Sequence, residues 1–136
     1  MIPTDSLVIQ EGAHEKLEGA LDEMLEQSRA ESALLISRDD GSLISARGFV
    51  SSLDTTSLAA LAAAAFASGR ELARLIGETE FSVLFHQGKR EHIHVNLAGD
   101  HVLLMVLFND LTTVGMVRIC ARECATRIEK ILSRSG

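Results

Sequence analysis

His92 and His94 stand two apart in the run EHIHVNL, and His101 follows beyond the turn signal Ala98-Gly99-Asp100. If the turns around these runs are tight, the three imidazoles project from one face of neighbouring strands, because residues two apart on a strand share a face. Such a set could hold zinc. No acidic or cysteine fourth ligand is evident on that face, so a partly exposed sheet face without metal is the preferred reading. Cys120 and Cys124 lie four apart in what reads as one helix. That spacing suits neither a disulfide framework nor a known zinc pattern. They read as small buried hydrophobes rather than a reactive pair. Ser57 is not part of a G-x-S-x-G turn, so no hydrolase triad is signalled. No G-x-x-x-x-G-K-S/T run is present, so no phosphate loop is expected. Arg38, Arg47, Arg70, Arg74 and Arg90 are each conceivable as an arginine supplied in trans to another enzyme's site, with a solvated surface role preferred for each. No catalytic residue, metal or cofactor follows from these groups.

Composition narrows the remaining classes. The chain has 136 residues, enough for one domain spanning 1–136 with a real core. It holds five Phe and no Trp or Tyr, which disfavours carbohydrate stacking and base-stacking platforms. The formal net charge of −6 disfavours nucleic acid and anionic membrane surfaces. No apolar run has the length of a membrane span. The start, MIPTDSLVIQEGAHEKLEGAL, has no basic segment followed by an apolar one, so it does not read as a secretory signal. A cytoplasmic protein is expected.

The elements that position these residues are legible in the periodicity. Leu17, Leu21, Met24 and Leu25 have helical spacing within 11–30. Asp40-Gly41 between Leu34–Ile36 and Leu43–Ile44 signals a hairpin. A long helix follows, capped by Asp54 or Thr55 and closed by Gly77. EFSVLFHQ turns at Gly88-Lys89 into EHIHVNL, which turns again into HVLLMVLF. The last run is apolar at consecutive positions, so it should be buried on both faces. A final helix runs from Thr112 or Thr113 to about Ser133. The order αββαβββα suits an α+β sandwich: a five-stranded, mostly antiparallel sheet with helices on both faces.

The long helix lies within LDTTSLAALAAAAFASGRELARLIG, a run with eight alanines and no proline. Alanine makes the helix secure. Leu58, Leu61, Ala62, Ala65, Leu72, Leu75 and Ile76 recur at three and four and are expected to face the sheet. Ala59, Ala60, Ala63, Ala64, Ala67 and Ser68 are expected on the other side. Small side chains there let a second body approach closely, although they equally suit a tight contact within the chain.

The order, together with LDTTSLAALAA, LARLIGETEF, FHQGKREHIHV and VLLMVLFNDLTTVGMVRI, resembles the Roadblock/dynein light chain family, and within it the bacterial MglB proteins. The resemblance runs over roughly residues 7 to 133. It implies a roadblock/profilin-like fold and a homodimer whose sheets join edge to edge, with two copies of the second helix side by side. It further implies that this helix pair docks a Ras-like GTPase of the MglA type and accelerates its GTP hydrolysis, or exchanges its nucleotide, without an arginine finger. Ala60, Ala63, Ala64, Ala67, Ser68, Arg70, Glu71 and Arg74 fall on the implied docking and dimer helix. Arg70 and Glu71 depart from the family's small residues, often glycine. That departure points to a diverged GTPase or to another roadblock protein as partner. A non-catalytic roadblock adaptor is the second reading.

Overall fold

The structure, a computed structural model, describes residue 9 and residues 11–135. Part of the stretch read as lacking a secretory signal therefore lies outside the described residues. The elements are α1 (Ala13–Ser28), β1 (Ser32–Ser37), β2 (Leu43–Gly48), α2 (Thr55–Leu75), β3 (Val83–Gln87), β4 (His92–Leu97), β5 (Val102–Phe108) and α3 (Val114–Ser135). This is the αββαβββα order read from the sequence. The five strands form one sheet in the order β2-β1-β5-β4-β3. Every neighbouring pair is antiparallel. The apolar run HVLLMVLF supplies β5, which lies between β1 and β4 and is covered on both sides, as its continuous hydrophobicity requires.

Two cores result, one on each face. Leu17, Leu21 and Met24 of α1 pack with Val117, Ile128 and the sheet residues Leu35, Leu104 and Phe108. On the opposite face Ala59, Ala62 and Phe66 of α2 pack on Leu34, Ile36, Val95, Leu103 and Met105. Strand alternation makes this possible, since successive residues of β1 and β5 serve opposite cores.

Local chemistry sets the boundaries. In the β1–β2 connection Asp40 Oδ1 accepts from Ser42 N at 3.0 Å and from Ser42 Oγ at 2.7 Å. Gly41 there has φ +72°, which glycine adopts without a Cβ penalty. Asp54 accepts from Ser57 N at 3.1 Å and caps α2. At the other end Glu78 N donates to Ala73 O at 2.9 Å and Gly77 N to Arg74 O at 3.2 Å. That is the paired closure of a glycine-terminated helix, and Gly77 has the required positive φ. Thr113 Oγ1 accepts from Met116 N at 3.1 Å and starts α3.

The orientation of α2 differs from the expectation. Its buried residues are Ala59, Ala62, Phe66 and Ala73. Leu61, Leu72, Leu75 and Ile76, expected on the sheet, are 69%, 60%, 80% and 70% exposed. Leu58 alone of the large aliphatics in that set packs at the edge of the core. The physical reason lies beneath the helix. The sheet already presents Leu34, Ile36, Leu103 and Met105, so the space above them is filled and the helix lies close through alanines.

Candidate interaction site

Small residues occupy both sides of α2, with different consequences. Ala59, Ala62 and Ala73 let the helix sit down on the sheet. Ala60, Ala64, Ala67 and Ser68 are exposed on the far side, among Leu61, Leu72 and Leu75. Ala63 is intermediate: it is half-buried and packed against the core beneath α2. The outward face is thus an apolar strip of leucines separated by alanines, with no described residue covering it. Each large aliphatic side chain gains about 1.5–3 kcal/mol when fully buried. The leucines together are therefore of the same order as the about 4–15 kcal/mol cost of associating two bodies. A strip of this kind is significant only with a broad partner surface.

The sheet offers a second free feature. β3 and β2 are its edges. Edge strands present unpaired backbone groups that invite another strand. Phe85 on β3 and Phe81 just before it are partly exposed.

The profile of the Roadblock/LC7 domain matches residues 16–108. The chain belongs to the Roadblock/LC7 family. Solved structures place it near MglB proteins within that family. "MglB with tetrameric arrangement" superposes with a TM-score of 0.89, at 29% identity over 100% of both chains. Myxococcus xanthus MglB gives 0.83 at 34% identity, covering 88% of this chain and 96% of that one. The gliding protein MglB of Thermus thermophilus gives 0.87 at 28% identity, covering 98% and 99%. Profilin of Schizosaccharomyces pombe, at 13% identity and a TM-score of 0.63, shares the fold alone. No curated protein sequence matches. The roadblock/profilin-like fold expected from the resemblance is the fold observed.

Within this Roadblock/LC7 domain, Arg70 does not stand free. Its Nε lies 3.5 Å from Glu80 Oε1, and Arg38 pairs with the same carboxylate. Arg38 also lies over the Phe66 ring, 5.6 Å from its centroid. Glu71 and Arg74 pair with each other along the exposed side at 3.2 Å. Arg47 is engaged by Asp22 at 2.9 Å. Of the arginines considered as fingers, only Arg90 has no ion pair among the described residues. Phe66, the one aromatic anchor of α2, was not singled out in the sequence; its position seven residues before Ala73 and four after Ala62 was the available signal.

The histidines do not converge. His92 pairs across the sheet with Phe108 at the end of β5, whereas His101 precedes its first residue, Val102. Those positions are about 20 Å apart along an extended strand. His92 Nε2 engages Asp110 Oδ1 at 2.9 Å and His101 Nδ1 engages Asp39 Oδ2 at 3.0 Å. Only His92 and His94 share a face, and no metal-holding cluster of three such groups occurs among the described residues. Acidic partners are thus present, but each belongs to a separate pair.

Both cysteines are free and buried. Burial pushes the Cys124 thiol up to about 12, and it points at Ala20 O at 3.6 Å. Burial raises Cys120 as well, with Glu123 adding to the effect. Thiols held protonated are poor nucleophiles, so both behave as packing groups. No helix among the described residues is long and apolar enough to cross a membrane.

Proposed function

We propose that this MglB-like protein regulates a Ras-like GTPase of the MglA type. It acts in the cytoplasm as a homodimer and has no active site of its own. The observation that carries the reading is the uncovered strip on α2, where Leu61, Leu72 and Leu75 alternate with Ala60, Ala64 and Ser68. Two copies meeting along the β3 edge would bring two such strips together. A GTPase laid across the pair covers both. The similarity to MglB structures, over 100% and 88% of this chain, supports a role of the MglB type. Acceleration then comes from holding the partner's own groups where charge develops on the transferred phosphate. Four of the five arginines weighed as fingers are already held by carboxylates of this chain, which favours that mechanism over a finger. Arg70 leans back onto Glu80 and leaves the strip clear, so it does not oppose docking. Glu71 and Arg74 form the charged rim.

The experiment is GTP hydrolysis by the cognate GTPase, with and without this protein, paired with light scattering. Ala64→Arg places a long charge in the centre of the strip. It should abolish stimulation while the fold persists, because a solvent-facing change far from the core costs little stability. Scattering tells loss of the dimer from loss of docking alone. Stimulation that survives replacement of Arg90 and Arg74 excludes a finger from either. If GTP-loaded and GDP-loaded partner bind equally and turnover is unchanged, the protein is an adaptor, since equal affinity for two states shifts neither.

A further inference from the structure

On the sheet face opposite α2, a cleft of about 250 Å³ opens between α3 and the strands β3 and β4. Its walls include Val83, His94, Asn96, Arg118, Arg122 and Thr126. Arg118 and Arg122 are four apart on α3, so both lean over the same opening. Neither makes an ion pair with a described residue, in a chain where Asp and Glu outnumber Lys and Arg by 19 to 13. Arg38, Arg47, Arg70, Arg74 and Arg127 all found carboxylates. Arg29 and Arg90 are likewise without an ion pair among the described residues, but Arg118 and Arg122 differ from them in lining one cleft together.

The floor is more telling. His94 is 2% exposed and Asn96 8% exposed, on successive inward positions of β4. Among the described residues, His94 Nδ1 and Asn96 Oδ1 are buried without a hydrogen-bond partner. The great majority of buried polar side-chain atoms are paired, so two orphans side by side call for an explanation. Asn96 Nδ2 donates to Leu97 O at 3.2 Å, which fixes the side chain with Oδ1 turned from that bond. The amide is close enough to act on the imidazole, but no bond of normal geometry reaches Nδ1. Burial first, and then the Arg118 charge, push His94 down to about 4, with Asn96 acting weakly the other way. The ring is thus neutral at physiological pH and offers hydrogen bonding rather than charge.

We propose that this cleft binds a small soluble oxyanion of the phosphate class, held by Arg118 and Arg122, with the neutral His94 ring donating Nδ1–H to one anion oxygen and Asn96 Oδ1 accepting from the P–OH of the monoprotonated anion. Guanidinium forks match the oxygens of such a group. The cleft is smaller than the 300–1,000 Å³ typical of drug-sized ligands, so phosphate or a phosphate ester of few carbons fits it best. Glu129 lines one end and bars a second negative charge there. The site lies on the other side of the sheet from the α2 strip and does not rest on the GTPase reading.

The test uses the full chain with labelled arginine and histidine, titrated with sodium phosphate against sodium chloride at matched ionic strength. Resonances of Arg118, Arg122 and His94 should move saturably with phosphate, while Arg47, held by Asp22, does not. The bound anion should also raise the His94 titration midpoint. Replacing both exposed residues (Arg118→Gln with Arg122→Gln) should weaken binding about tenfold or more, the loss expected on removing charge-assisted hydrogen bonds. Linear shifts, the same shifts with chloride, or unchanged affinity in the double variant would overturn the proposal. Vesicles of phosphatidylcholine with phosphatidic acid form the last arm. Co-sedimentation that the double variant abolishes would reassign the site to a lipid headgroup and overturn the soluble ligand.

Discussion

His92 joins two turns: its Nε2 lies 2.9 Å from Asp110 Oδ1, and its Nδ1 lies 3.2 Å from Gly88 N. Gly88 N–H is a donor, shared between Glu91 O at 3.1 Å and this nitrogen, so Nδ1 accepts. The ring proton is then on Nε2 and is donated to Asp110. One side chain thereby ties the β3–β4 turn to the segment that leads into α3. In the neutral ring, nitrogen chemical shifts should show Nδ1 unprotonated and Nε2 protonated. His92→Leu keeps the contact with Phe108 but drops both hydrogen bonds. It should cost about 1–3 kcal/mol in urea unfolding, the usual range for lost hydrogen bonds at a part-buried site. An Nδ1-protonated neutral ring would contradict this arrangement.

The orientation of α2 gives a sharp contrast between two residues. Ala59 is fully buried against the sheet, whereas Leu75 is exposed. Ala59→Leu should lose about 1–3 kcal/mol through overpacking. Leu75→Ala should stay within about 0.5 kcal/mol of the parent when measured at high dilution. A Leu75→Ala loss of about 2–5 kcal/mol would instead mark a core leucine and reverse the face assignment.

That contrast also shows what was legible in the sequence. Element order was readable because Asp40-Gly41, Asp54, Gly77 and Gly88 mark the turns and ends, and because the period changes between helix and strand. The central place of β5 was readable from its unbroken apolar run. The face of α2 was not, because the helix has two apolar stripes and three of its leucines, Leu61, Leu72 and Leu75, are on the one turned outward. Which stripe meets the sheet depends on how much space β1 and β5 leave, a property of residues far away in sequence. His101 misled for a related reason. It sits in the turn before β5 and faces Asp39, so strand alternation does not apply to it. The cleft under Arg118 and Arg122 was not legible, because it depends on β4 turning His94 and Asn96 toward α3, a contact between segments distant in sequence.

A pH dependence follows from Glu31. The carboxyl of Glu91 beside it, and then partial burial, push Glu31 up from 4.5 to about 7. The folded state therefore holds a proton that the unfolded state releases at lower pH. This contribution to stability is fully present below pH 4.5 and is lost as pH rises through about 7. Glu31 is only half-buried, so solvent screening trims the effect and the sign is the quantity tested. Glu31→Gln should flatten the fall of melting temperature across that window. Above it, the variant should be the more stable of the two. Parallel curves for variant and parent would show that the two carboxyls do not share a proton.

Gly48 ends β2 with φ +93°. A Cβ at this position would meet the backbone of Glu31 and Ser32. That backbone is held in place, since Phe49 N donates to Glu31 O at 2.9 Å and Glu31 N donates to Leu107 O at 2.9 Å. Neither neighbour can withdraw without breaking a sheet contact. Gly48→Ala therefore combines left-handed backbone strain with a clash against fixed atoms, and should cost about 3 kcal/mol or more. Gly19 is the internal comparison. It lies within α1, and a Cβ there meets nothing within 4 Å. Gly19→Ala should gain up to about 1 kcal/mol from helix propensity alone. Urea unfolding of both variants at one fixed protein concentration makes the comparison, because self-association shifts apparent stability. Equal behaviour of the two alanines would mean that the β2 end yields freely, and the tight Gly48–Glu31 approach would then have no role in fixing that edge of the sheet.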